Sequence, residues 1–153
     1  MGNDQEYIEL FRAEAHENFE YLERLLTSLE NDKDNFVHID EIFRIIHTLK
    51  GNAMALGLQG ITEISHVLED IFGGVKKKKI RLSEELVGLL FKAIDKLGQL
   101  IIALKTGEKV AYKGIRTRLQ IFYKKSFDAE TVEEDLSIDD NEIFDQEKPE
   151  AEE

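Results

Sequence analysis

The chain has 153 residues, 42% of them hydrophobic, with no cysteine, no tryptophan and a single proline. That is enough length and apolar content for one domain with its own core, and the missing cysteines exclude disulfides, thiolate metal sites and a cysteine nucleophile. The net charge of −12 belongs to the last 26 residues: from Asp128 onward there are 13 acidic residues and one lysine, while residues 1–127 are neutral, so bulk charge gives no case for nucleic-acid binding by the folded part.

The chain opens on MGNDQEY, which is polar and reads as no signal peptide, and Glu6 stands where a myristoylation pattern needs Ser or Thr. The first predicted helix runs from about Tyr7 to Leu29, where Ile8, Phe11, Ala15, Phe19, Leu22, Leu26 and Leu29 repeat at three and four residues. "ENDKDN" breaks it. The second carries Ile42, Ile45, Ile46, Leu49, Ala53 and Leu56 and is ended or interrupted by Gly57 and Gly60. The third holds Ile61, Ile64, Leu68, Ile71 and Phe72 and is expected to stop at Gly73-Gly74. Ser83 reads as the N-cap of a fourth helix, with Glu84 and Glu85 in its first turn and a stripe from Leu86 to Leu104. Gly107 separates it from a shorter fifth helix with Ala111, Ile115, Leu119 and Phe122. The longest apolar run, "LIIAL", is too short to span a membrane, so a cytoplasmic chain with no membrane insertion is expected. The pattern predicts an all-α fold: an up-and-down four-helix bundle with a fifth packed helix over residues 1–127. Residues 128–153 read as an acidic disordered tail or interdomain linker.

One stretch, "IFRIIHTLKGNAMALGLQGI", carries chemistry. At roughly 100° per residue, His47 lies about 140° from the apolar centre of the second helix and Gly51 about 180° from it, so both face outward. A lone exposed histidine is most simply an ordinary surface residue. Its neighbours argue otherwise. Lys50 sets a cation beside the imidazole, suited to an anion. Gly51 leaves open space one turn away. On the third helix Glu69 falls roughly 110° from the apolar centre, at the edge of the core. A carboxylate there can accept from Nδ1–H of His47 and leave Nε2 as the nucleophilic nitrogen. His66, one turn before Glu69, is a candidate for the same network. The outward face around His47 also carries Arg44 and Met54, with Thr62 adjacent on the next helix.

These residues resemble a histidine-containing phosphotransfer (HPt) domain, and more narrowly the N-terminal phosphoacceptor (P1) domain of CheA-type chemotaxis histidine kinases. The pattern reads His47, Lys50-Gly51, Gly57-Leu58 and "SHVLED" with His66 and Glu69, in register without a gap. The resemblance implies that His47 accepts a phosphoryl group from a histidine-kinase ATP-binding domain and passes it to the aspartate of a response-regulator receiver domain. It implies that Glu69 stabilises the charge on the ring and that Lys50 steadies the phosphate; a receiver that reaches His47 would dock on the outward face, where helical spacing puts Arg44, Gly51 and Met54, with Thr62 and His66 as candidates from the next helix. Mg²⁺ and ATP would belong to partner domains, with no cofactor and no metal held here. Asn52 and Met54 depart from the small residues common at those positions, which bears on partner preference. No glycine-rich phosphate loop is present, so autonomous kinase activity is not expected. The alternatives are a free-standing phosphorelay shuttle and a non-catalytic helical interaction module.

Other features have plainer readings. Glu63 and His66 form one Glu-x-x-His, whereas a di-iron bundle needs two such motifs plus further inward carboxylates. "KKKK", Lys76 to Lys79, reads as a solvated loop rather than a nucleic-acid or lipid patch. His16 and His38 read as surface positions.

Overall fold

The computed structural model describes residues 2–134 and contains five helices, α1 (Gly2–Asn31), α2 (Phe36–Ala55), α3 (Gln59–Lys76), α4 (Glu84–Thr106) and α5 (Lys113–Glu134). No strand occurs among the described residues. The first four helices run up and down around one core, α1 packing on α2 and α4 and α3 on α2 and α4, while α5 lies across α3 and α4. The apolar stripes meet at the centre, where Leu22, Leu26, Ile42, Ile46, Ile64 and Leu68 are fully buried. Each such side chain contributes about 1.5–3 kcal/mol by leaving water.

Local chemistry sets several boundaries. Asn35 caps α2 by accepting from the His38 N–H at 3.1 Å, and Ser83 caps α4 by accepting from the Leu86 N–H at 3.2 Å. Gly107 ends α4 in the left-handed region at φ 79°, where a side chain would be strained.

Three expectations need correction. The third helix does not stop at Gly73-Gly74 but continues to Lys76. Those glycines serve close packing: a Cβ on Gly74 would fall 2.5 Å from Cδ1 of the buried Ile80, and one on Gly73 would fall 3.3 Å from the Phe43 ring. The fifth helix leaves Ala111 exposed in the connection and starts at Lys113. It also runs past the expected boundary at residue 127, to Glu134. The remainder of the expected tail, 135–153, lies outside the described residues. No described helix is long and apolar enough to cross a membrane.

Candidate functional site

Burial of Ile46 and Leu49 on either side forces His47 to the outer surface of α2, with 64% of its side chain exposed. The connection between α2 and α3 is only Leu56–Leu58, with Gly57 at φ 71°, so the two helices lie antiparallel and in contact. That pairing brings Glu69 of α3, 13% exposed, beside the imidazole. Nδ1 of His47 hydrogen-bonds to Oε2 of Glu69, and Nζ of Lys50 ion-pairs with Oε1 at 2.6 Å. An ionised carboxylate can only accept, so Nδ1 carries the proton and the lone pair of the neutral ring sits on Nε2. Among the described residues Nε2 has no partner.

Burial pushes the Glu69 carboxyl up, but the Lys50 ammonium and His47 more than offset it and hold the group below its ordinary value of 4.5. Glu69 is therefore an anion at neutral pH, flanked by a cation and a ring that becomes positive when its free nitrogen forms a bond. The arrangement suits nucleophilic attack by Nε2 on an electrophile that approaches from solvent.

The family model of the Hpt domain matches residues 6–106. The chain belongs to the Hpt domain family. It is similar to the chemotaxis protein CheA of Borreliella burgdorferi, 29% identical over 150 residues, which is 92% of this chain and 17% of that protein. It is also similar to the sensor histidine kinase CheAY of Helicobacter pylori, 30% identical over 69% of this chain and 13% of that one. The chain thus spans less than a fifth of the length of the curated relatives it matches. Among solved structures it resembles the phosphorylated P1 domain of CheA3 in complex with CheY6 from R. sphaeroides, with a TM-score of 0.71 and 25% identity over 80% of this chain and 98% of that one.

The remaining predicted site residues divide into those gathered at His47 and those held elsewhere. Gly51 is exposed, and a Cβ there would meet nothing within 4 Å. Met54 is 59% exposed on the same helix. Arg44 is exposed and pairs with Asp40 at 3.0 Å. Thr62 is half-buried and donates its hydroxyl to the Leu58 carbonyl at 2.8 Å, which commits that donor to the start of α3. His66 does not join the His47–Glu69 pair: it is exposed and faces Asp70, four residues on, at 3.8 Å. One turn of α3 separates it in sequence from Glu69, but only Glu69 reaches across to α2.

Two plain readings also change. Lys76 is not a solvated lysine: it ends α3, ion-pairs with Asp40 at 2.6 Å and lies over the Phe43 ring. Lys77, Lys78 and Lys79 are exposed, as expected of a loop. His38 is half-buried, with Nδ1 shielded from solvent, rather than a surface residue. Glu63, the other half of the rival metal motif, is taken up by Gln59 at 2.7 Å, Tyr112 at 3.1 Å and Arg116, and the described residues hold no cluster of three or more metal-ligating side chains. Phe43 escaped the sequence reading although it stands four residues before His47, on the same helical face.

Proposed function

We propose that this Hpt domain is a phosphoacceptor of two-component signalling, with Nε2 of His47 as the acceptor atom, and that it serves as the P1 domain of a cytoplasmic CheA-like kinase. The observation that carries the proposal is the pairing of Nδ1 with a carboxylate held ionised, which leaves Nε2 free on an exposed helix face. Nε2 attacks the γ-phosphorus of ATP bound on a kinase domain. The Nε2–P bond forms as the P–O bond to ADP breaks, and that electron pair leaves on ADP. The ring gains positive charge, and Glu69 stabilises it through Nδ1–H. In the second transfer a carboxylate oxygen of a receiver-domain aspartate attacks the phosphorus, and the Nε2–P electrons return to the ring. Such displacements depend on positioning and charge more than on covalent machinery in the acceptor. Mg²⁺ and nucleotide reside on the partners in this reading, so Mg-ATP alone leaves the chain unlabelled.

The test is incubation of the chain with a CheA-type catalytic domain and Mg-ATP. The label is expected to be acid-labile and base-stable, to transfer to a receiver domain, and to vanish in His47→Gln. Undiminished labelling of that variant would move the acceptor to another residue, and a wild-type chain that takes no label from a matching kinase would leave the non-catalytic interaction module as the reading.

A further inference from the structure

Three contacts beside His47 that phosphotransfer does not account for converge on one aromatic ring. Phe43 is half-buried on α2, and its ring lies within 15° of parallel to the imidazole with centroids 6.5 Å apart. Lys76, from the end of α3, sets Nζ 4.8 Å from the centre of the same ring. That ammonium is held in place by Asp40 at 2.6 Å, and Asp40 is held in turn by Arg44 at 3.0 Å. The bond to Lys76, first among several influences, keeps the Asp40 carboxyl below its ordinary value of 3.8, so the anchor is an anion at neutral pH. Gly73 completes the seat, since a Cβ there would lie 3.3 Å from Cε1 of Phe43. Phe43 therefore has a cation over its ring and a glycine cut away beside it, both from α3.

Helical side chains lean toward the N-terminus, so the imidazole of His47 projects over the turn that carries Phe43. A largely exposed histidine with one hydrogen-bond partner keeps rotational freedom about its side-chain bonds. A planar neighbour fixed from a second helix removes part of that freedom.

We infer that Phe43 is a positioning residue for His47: seated against Gly73 and clamped by Lys76, it confines the imidazole to the rotamer in which Nδ1 meets Glu69 and Nε2 faces outward. The inference rests on the reading of His47 as phosphoacceptor only for its kinetic consequence; the ring geometry stands apart from it. Lys76 and Gly73 act through Phe43, and Asp40 acts through Lys76. Because phosphoryl transfer needs a near-attack geometry, loosening the ring should lower the rate of the chemical step rather than the affinity for the kinase.

The experiment compares the full chain with Phe43→Ala, Phe43→Leu, Gly73→Ala and Lys76→Met. Ring ¹⁵N shifts and side-chain couplings of His47 report its tautomer and rotamer, and the time course with a CheA-type catalytic domain reports kcat and KM. Wild type is expected to show one tautomer and one rotamer. Phe43→Ala should average the rotamer and lower kcat about tenfold, within the ~100-fold cost of a 1 Å misplacement, with KM unchanged. Lys76→Met and Gly73→Ala should move the same ring signals by less. If Phe43→Ala fails to fold, Phe43→Leu decides, since it keeps apolar bulk without the flat face. A single rotamer and wild-type kcat in the folded Phe43 variants, with only a lower melting temperature, would overturn the inference and leave Phe43 as packing. A wild-type chain that shows the fixed ring but takes no label would instead defeat the phosphoacceptor reading, while the ring signals still decide the role of Phe43.

Discussion

Glu69 links the two halves of the site's electrostatics. Its burial favours the neutral acid, yet Lys50 and His47 hold it ionised. Lys50, assigned by resemblance to the phosphate, is bound to Glu69; a phosphoryl group on His47 would therefore compete with Glu69 for this cation. Removing the carboxylate has two consequences. Glu69→Ala is expected to slow phosphorylation by roughly 10²-fold or more, the low end of losses at general acid–base positions, because the developing ring charge loses its acceptor. The stability consequence depends on pH. A group whose folded pKa lies below its unfolded value contributes fully above the unfolded value and loses that contribution as pH falls through the folded one. The contribution of the Glu69 carboxylate to the stability gap between wild type and Glu69→Gln should thus shrink on acidification below the ordinary value of 4.5. Urea titrations at pH 5 and 3 measure it; a gap wider at pH 3 than at pH 5 would contradict the assignment.

The glycines of α2 and α3 look alike in sequence and have opposite jobs. Gly51 has open space around it, so its cost to helix propensity is uncompensated by packing. Gly51→Ala should stabilise the fold by up to about 1 kcal/mol. Gly51→Leu should also fold, yet impair transfer to and from a receiver domain, because the side chain stands on the face the partner must approach. Gly74 has no such space: an added Cβ would sit 2.5 Å from Cδ1 and 2.8 Å from Cγ1 of Ile80. Overpacking costs about 1–3 kcal/mol, which outweighs the propensity gain, so Gly74→Ala should destabilise. Denaturation midpoints paired with transfer time courses separate the two cases. If Gly51→Leu unfolded the chain, the outward placement of that face would be wrong.

At the scale of the molecule, α2, which carries His47, and α5 make no direct contact among the described residues. α5 rests on α3 and α4, whereas His47 lies on α2, paired with α1 and α3. The clasp that holds α5 is Glu63, which accepts from Tyr112 at 3.1 Å and from the Arg116 guanidinium. Gly60 lies under the Tyr112 ring, 3.1 Å from where a Cβ would stand. Arg116→Ala should therefore loosen α5 locally, at a cost of about 1 kcal/mol for a half-buried pair, and speed amide exchange in α5. Phosphorylation of His47 should be unchanged. Equal acceleration of exchange across all five helices would show that α5 unfolds with the bundle rather than apart from it.

The sequence by itself determined the five helices and their inward faces, and it nominated the candidate site, because helical period converts residue spacing directly into direction. That is why His47, Gly51 and Met54 could be placed outward, and Glu69 at the core edge, from angles alone. Caps at Ser83 and Gly107 were legible for the same reason: they act within one turn of the chain. Spacing along one helix says nothing about what a neighbouring helix presents. Only the tertiary structure decided that His66 stays out of the His47–Glu69 pair, and that Gly73-Gly74 lies inside α3. It alone showed that Lys76 is drawn from an apparent lysine loop onto Asp40 and Phe43. Each of these depends on the rotation and closeness of α2 against α3, which packing of the whole core fixes and no local pattern encodes.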